Sequence, residues 1–462
     1  MADKTHTDSQ RMEKIVSLCK RRGFIYQSGE LYGGLNGCWD YGPLGVELKR
    51  NLKDYWWLKN VQERDDVLGL DGSILTMRQV LEASGHVGGF TDPMVDCKTC
   101  KARFRADSLE TNQCPEKPSV CPGQSEKCEL TEPRQFNLMF QTKIGASADE
   151  NDPNAIAYLR PETAQSIFVQ FKNVVDSSRV KLPFGIAQIG KSFRNEINPR
   201  NYTFRSREFE QMEIEYFCRP EDGMRLTDEW LEKRLKFYEE IGIPREHLHI
   251  LDVPDGERAF YSDKTYDIEY EFPFGVQELE GVAYRTDYDL KTHQEHSKKP
   301  LELFLEETKE KLLPHVVEPS AGVDRTVLAL ICEAFAEEEI TDAKGKTEKR
   351  TVLRFAPRMA PIKAGIFPLV KKSAEQVRIC REIQATLQPC MNVFYDEGGA
   401  VGRRYRRQDE IGTPFCITVD FDTIGENGPE NQNTVTVRHR DSMEQERLPI
   451  QDLLPWLLEK IR

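Results

Sequence analysis

Between Lys191 and Tyr216 the chain reads as two strands joined by a loop that turns at Asn198-Pro199. Along the returning strand, side chains alternate between two faces. Phe204, Met212, Ile214 and Tyr216 fall on one, and Arg205, Phe209, Gln211, Glu213 and Glu215 on the other. The apolar set predicts a surface turned to a core. The second set places a cation, an aromatic plane and carboxylates in one row. Arg194 and Glu196 share a face of the first strand, where an antiparallel partner would bring them beside Arg205 and Phe209. In an arbitrary hairpin such a face would be a solvated, charge-alternating surface. Here a cation suited to a phosphate, a ring suited to a base and a carboxylate suited to an ammonium group follow one another in order.

Helical spacing appears where Leu44, Leu48, Leu52, Tyr55 and Trp56 form one stripe after a Gly42-Pro43 start. It appears again after a strand that ends at Ser320 and passes through Gly322. There Val323, Val327, Leu330, Ile331 and Ala334 share a face, and Arg325 occupies the first turn, where free N–H groups and the helix dipole favour an anion. Pro161 stands just before a third helix that carries Ile167 and Phe171. Residues 1–10 are polar and predicted to be a disordered end, followed by a short helix over 11–22 and a strand over 23–26.

The acid-rich stretch 220–307 reads as strands and helices inserted between these elements, with alternation over 274–290 suggesting a central strand pair. Residues 337–354 are charged and poor in apolar side chains, which predicts a linker. Beyond it, apolar stretches at 362–370, 391–395 and 415–420 alternate with helical segments, most clearly 373–387. That order predicts a small βαβ domain with a mixed or parallel sheet over 355–462.

A chain of 462 residues is too long for one ordinary core, so two or three domains are expected. No run of 18 apolar residues occurs, and the opening Met-Ala-Asp-Lys-Thr-His lacks the features of a secretory signal, which predicts a cytoplasmic protein with no membrane contact. Twelve scattered cysteines fit reduced thiols. Cys97-x-x-Cys100 with Cys114, Cys121 and Cys128 could hold zinc, but no second C-x-x-C is present, and free thiols in an exposed insertion over about 97–130 are the preferred reading. The net charge of −13 argues against non-specific nucleic-acid binding, yet it is unevenly placed: 62 acidic and 49 basic residues precede Phe355, and 15 of each follow. In the neutral part, Arg403, Arg404, Arg406 and Arg407 surround Tyr405. This run suits RNA, or a solvated face shared with Asp409 and Glu410.

Phe193-Arg194-Asn195-Glu196 followed by Arg207-Glu208-Phe209-Glu210-Gln211-Met212-Glu213 resembles the second signature motif of class II aminoacyl-tRNA synthetases, in the form seen in homodimeric glycyl-tRNA synthetases. Gly42-Pro43-Leu44-Gly45 resembles the first motif, which implies a dimer interface, and the strand-Gly322-helix-Arg325 unit resembles the third. The resemblance covers nearly the whole chain. It implies an α+β fold with an antiparallel class II catalytic domain over 1–336 and an α/β anticodon-binding domain over 355–462. It also implies glycine, ATP and tRNA(Gly) as substrates, Mg²⁺ with the ATP, and a homodimer.

In residue terms, the resemblance implies that Arg194, Glu196 and Arg325 are catalytic and that ATP contacts Arg194, Asn195, Glu196, Phe204, Arg205, Phe209, Glu278, Leu279, Gly322 and Arg325. Glycine would contact Arg105, Glu162, Phe209, Gln211, Glu213, Glu318, Ser320 and Gly322, and the anticodon Arg403, Arg404, Arg406 and Arg407. Two other readings share the architecture. A non-catalytic binding module would be expected to have lost Arg194, Glu196 or Arg325. A class II synthetase for another small amino acid is opposed only by the Glu-lined pocket. No P-loop or Gly-rich dinucleotide fingerprint occurs.

Overall fold

The computed structural model describes residues 2–98, 101–111, 129–145, 155–341, 345 and 347–462. The alternating hairpin lies within a seven-stranded sheet built from β1 (Val67–Gly69), β2 (Phe184–Phe193), β3 (Glu208–Cys218), β4 (Leu248–Asp252), β5 (Lys264–Phe272), β6 (Gly275–Thr286) and β7 (His315–Gly322). The strand order is β4-β5-β6-β7-β3-β2-β1, and every pairing is antiparallel except that of β1 with β2. Phe204 and Arg205 precede β3 and lie at a short 3-10 turn, Tyr202–Phe204, so the alternation begins at Glu208 and not at Phe204. The expected insertion over 220–307 supplies β4, β5 and β6, making it integral to the sheet. Its many acidic side chains hid that from composition, and they fall on both faces, with Asp252 and Glu278 exposed and Glu280 buried against Arg234.

One face of the sheet is closed by α1 (Ala2–Arg22), α2 (Pro43–Trp57), α4 (Gly223–Ile241) and α5 (Val323–Ala334), counting α3 (Ala164–Ser178) on the opposite face. Met212, Ile214 and Tyr216 meet Leu48, Leu52 and Trp56 of α2, Trp230 of α4 and Val327 of α5 in a single core. Each such side chain contributes roughly 1.5–3 kcal/mol on burial. The apolar stripe of α2 is therefore spent inside its own chain. Gly45 lets this helix approach closely, since a Cβ there would collide with the carbonyl of Phe24. The polar start of the chain is helical from Ala2, and Arg11 ties this helix to the end of α5 by donating to the carbonyls of Cys332 (2.9 Å) and Phe335 (3.1 Å). On the opposite face α3 packs Ile167, Phe168 and Phe171 on Phe184, Ile186 and Phe217. It covers only the far ends of β2 and β3 and leaves Phe209, Gln211 and Glu213 lining a cleft.

The stretch expected to be a linker forms a hairpin, β8 (Phe335–Thr341) with β9 (Thr347–Leu353). Glu338 faces Arg350 and Glu339 faces Lys349 across it. Opposite charges paired across strands stabilise a ladder that a count of apolar residues reads as unstructured. The following domain has strands β10 (Ala364–Pro368), β11 (Val393–Tyr395), β12 (Phe415–Val419), β13 (Thr434–His439) and β14 (Gln445–Pro449), ordered β11-β10-β12-β13-β14. β10 is parallel to β11 and β12, and the other pairs are antiparallel, a mixed sheet. Helices α6 (Ala374–Leu387) and α7 (Val401–Ile411) connect the parallel strands.

The arginines of α7 do not form one cationic face. Arg404 is buried and donates to the carbonyls of Pro368, Glu397 (3.0 Å) and Gly399 (2.7 Å). Arg407 is bound to Asp396 and to the Gly398 carbonyl (2.6 Å), and Arg406 lies 3.4 Å from both Glu348 and Asp409. Arg403 is exposed. Asp409 is not a solvated neighbour either. It is buried and accepts from Arg350 of β9 (2.9 Å) and Arg438 of β13 (2.9 Å), while Glu410 accepts from Arg22 of α1 (2.6 Å). Burial works to raise the Asp409 carboxyl, but Arg350 and Arg438 outweigh it and hold it below the usual carboxylate range. Asp409→Ala would strand two buried guanidinium groups and should destabilise the protein by about 3–5 kcal/mol. Urea unfolding checks this, and a loss below about 1 kcal/mol would show the cluster to be peripheral.

Candidate active site

The cleft, about 410 Å³, is floored by β3, β6 and β7 and walled by the loop between β2 and β3. Where β2 ends, Arg194 N–H donates to the Arg207 carbonyl (2.9 Å), so the loop leaves and rejoins the sheet at one point. The Arg194 guanidinium lies 5.3 Å from the ring centre of Phe90 and 5.4 Å from that of Phe209, and its Nε donates to the Pro161 carbonyl (3.1 Å). It is held by two aromatic rings, and no carboxylate among the described residues forms an ion pair with it, which leaves its charge available.

Arg205 lies 4.0 Å from Glu196. Burial, with Arg200, Arg105 and Arg325 nearby, holds the Arg205 guanidinium below its ordinary value against the pull of Glu196. Arg325, in the first turn of α5, stands 4.5 Å over the Phe204 ring and 3.0 Å from Glu278 Oε2. Arg105 is paired with Asp92 (2.8 Å) and Asp107 (2.7 Å). Guanidinium groups so crowded in one cleft are suited to an anion carrying several charges.

The other end is carboxylate-lined. Glu213 accepts from Ser320 Oγ (2.7 Å) and from Thr163 Oγ1. Glu318 accepts from Arg285 (2.5 Å), which also donates to Asp289 (2.8 and 2.9 Å). Glu162 accepts from Gln165 (2.9 Å) and lies 3.3 Å from His86 Nε2. Burial pushes against the charge on Glu162, but His86, Arg285 and Gln165 outweigh it and hold its carboxyl well below the usual range. Burial followed by the charge of Glu162 raises Glu213, and burial raises Glu318 well above its ordinary value in spite of Arg285. These oxygens converge where a small cation would fit.

A β-bulge sets the alternation of β6. Opposite β5 the register shifts between Ile268 and Glu269, so that Ile268 faces Glu280 and Glu269 faces Glu278. Glu280 turns into the core to meet Arg234 of α4 (2.6 Å), while Glu278 reaches Arg325. Without this shift a strict period of two would put the two glutamates on one face. Asp267, on the opposing strand, is raised to about 7 by burial and then by Glu278 and Glu269.

The cleft thus gathers Arg105, Glu162, Arg194, Glu196, Phe204, Arg205, Phe209, Gln211, Glu213, Glu278, Leu279, Glu318, Ser320, Gly322 and Arg325. Asn195 is not among its lining residues, and its N–H donates to the Leu138 carbonyl (2.7 Å). Cys97 is buried, and Cys100, Cys114, Cys121 and Cys128 lie outside the described residues.

Comparison with known proteins agrees with this geometry. Residues 140–334 match the tRNA synthetase class II core domain (G, H, P, S and T), and residues 363–460 match the anticodon binding domain. The glycine–tRNA ligase of Thermobifida fusca is 50% identical over 465 residues, spanning 98% of both chains. That of Treponema denticola is 49% identical, over 98% of this chain and 97% of the relative, and that of Thermus thermophilus 47%, over 98% and 99%. The chain belongs to the glycine–tRNA ligase family. Within this class II fold, sequence reasoning missed Arg285, Tyr261, Asp92, Phe90 and His86. Gly281, Ala283 and Arg285 alternate on β6 and all line the cleft, so the period was available once the bulge was known. Tyr261 and Phe90 come from loops and His86 from the four-residue helix His86–Gly89, and none carried such a signal.

Burial opposes the Arg285 charge, but Asp289 and Glu318 outweigh it and keep it firmly protonated. Arg285→Met would leave Asp289 and Glu318 without their paired cation and raise Glu318 still further above its unfolded value. Stability lost in this way is small below the unfolded carboxylate range and grows as pH rises. The variant should match wild type near pH 5 and fall about 3–5 kcal/mol short at pH 8. A pH-independent deficit in denaturant unfolding would refute the pairing.

Proposed function

We propose that this protein activates glycine with ATP to glycyl-adenylate, releasing pyrophosphate, and then transfers glycine to the 3′ end of its tRNA. The observation that carries the reading is the joining, in one cleft, of a carboxylate-lined end and an arginine-lined end. An amino acid presents an ammonium group to the first and its carboxylate to the second, next to the ATP. Glu162, Glu213 and Glu318 surround the ammonium. Arg194 spans the substrate carboxylate and the α-phosphate, Phe209 stacks on adenine, and Arg205 and Arg325 hold the distal phosphates. No covalent enzyme nucleophile is needed, because positioning and charge stabilisation of the transferring phosphoryl group suffice.

Glu278 would hold Mg²⁺, which neutralises phosphate charge when bound. The donor set fits, since hard carboxylate oxygens suit that ion, and the raised Asp267 beside Glu278 marks an acidic group short of a cation. Selection for glycine follows from walls of Gly281, Ala283 and Ser320 with charged or hydrogen-bonded groups around them. An apolar side chain gains nothing there and would bury carboxylates against carbon. Pyrophosphate exchange measured with each of the twenty amino acids tests the reading. Exchange is expected with glycine alone, and exchange with alanine or serine exceeding it, or with none, would refute it.

The C-terminal domain is read as the anticodon contact, through surfaces other than the bound-up arginines of α7. No helix among the described residues is long and apolar enough to cross a membrane, and we place the reaction in the cytoplasm. Two copies are proposed to associate. The support is the turn after strand Ile25–Gln27, where Leu31 and Tyr32 are 88% and 92% exposed and Leu35 lies beside them, an apolar tip that a monomer would leave in water. Sedimentation should show a dimer at micromolar concentration, and Leu31→Lys with Tyr32→Glu should give monomers. A fully active monomer in the wild type would overturn the assignment.

A further inference from the structure

Behind the carboxylates that line the cleft lies one more, Glu215. It sits two residues beyond Glu213 on the same face of β3, is fully buried, and neither of its oxygens has a hydrogen-bond partner among the described residues. One oxygen from each of Glu213, Glu215 and Glu318 lies within 4.8 Å of the others. The groups facing Glu215 are Glu213 on its own strand, Glu318 on β7, Arg285 on β6 and Asp289 on the helix Tyr288–Ser297, with Glu162 beyond Glu213. Opposite it on β2 is Ile186, and α3 covers this side with Phe168 and Phe171, none of which titrates.

The guanidinium paired with the group, Arg285, is already committed to Asp289 and Glu318, and Arg160, whose charge also reaches Glu213, gives its hydrogen bonds to the carbonyls of Lys191 and Gly72 and to Gln188. Three carboxylates this close, shielded from water and without a cation for each, cannot all be ionised near neutral pH. An ionised Glu215 without a single donor would moreover carry the full cost of an unsatisfied buried charge.

We infer that Glu215 is a positioning residue of the glycine site: the Glu213–Glu215–Glu318 group holds a proton in the free enzyme and releases it to solvent when the ammonium of glycine enters. The inference rests on the assignment of Glu213 and Glu318 to the ammonium. The charge balance closes, since the pocket exchanges one positive charge for another and glycine keeps the proton it arrived with. Burial first, then the charge of Glu318, pushes the Glu215 carboxyl well above its ordinary value, in accord with this balance.

Calorimetric titration of the full-length protein with glycine alone, at pH 7 in buffers of different ionisation heat, measures the proton count. About half to one proton should leave per glycine bound, and the glycine KM in pyrophosphate exchange should fall about three- to tenfold per pH unit between pH 6 and 8. Glu215→Gln, which keeps the shape and cannot ionise, should abolish the release and flatten the profile, and Glu215→Met serves if that variant does not fold. A binding heat that is the same in every buffer overturns the inference, as does a release that persists in the variant. Failure of the underlying pocket assignment reads differently: Glu213→Gln would then leave the glycine KM unchanged.

Discussion

Arg285 stands between Asp289 and Glu318 where β6, β7 and the following helix shut out water, and the acidic end of the cleft depends on it. A carboxylate brought out of water costs several kcal/mol unless a cation and hydrogen bonds meet it. One guanidinium cannot serve every acid gathered there. The remainder are met by Thr163 and Ser320 at Glu213 and by His86 and Gln165 at Glu162, or, as at Glu215, have no hydrogen-bond partner among the described residues. A pocket built in this way is short of positive charge by design of its own packing. An ammonium group would relieve it.

The same face of the sheet carries the opposite imbalance a few residues away. Arg205 and Arg325 approach one another beside Phe204, and Arg194 stands against Phe209. Two aromatic rings support Arg194 in place of an acid, which fixes the side chain without cancelling its charge. Acid and base ends remain separate because β3 runs from one to the other in extended form. Phe209, Gln211 and Glu213 are then spaced along a single line with the core at their backs.

The C-terminal part uses arginine for a different purpose. Asp409 joins α7 to β9 and β13 through two buried guanidinium groups, and Arg404 satisfies three carbonyls, one at the end of β10 and two in the loop between β11 and α7. A planar group with five donors suits such a joint better than an ammonium does. The hairpin β8–β9 is thereby attached to the domain that follows it. Of the residues between the two domains, those of β8 and β9 are consequently structured.

Elements whose evidence is local were legible in the sequence: the stripes of α2 and α5, the alternation from Met212 to Tyr216, the Gly-Pro start of α2, and the order of strands and helices after residue 355. The cleft residues on β3 and at the head of α5 were legible for the same reason, since the period of a strand or the first turn of a helix assigns a side chain to a face without knowledge of the partner. What only tertiary structure decided depends on contacts distant in the chain. The bulge at Leu279 separates Glu278 from Glu280, although a strict period of two would put them together. The stripe of α2 is turned inward by α4, α5 and the sheet. The arginines of α7 are bound by acids and carbonyls from other elements, so a run that reads as a free cationic patch is largely neutralised. Arg285 is buried among carboxylates that lie 4 and 33 positions further along the chain. Local sequence determines which way a side chain points, but whether its charge meets a partner or stands unanswered is settled by the residues that the fold brings up against it.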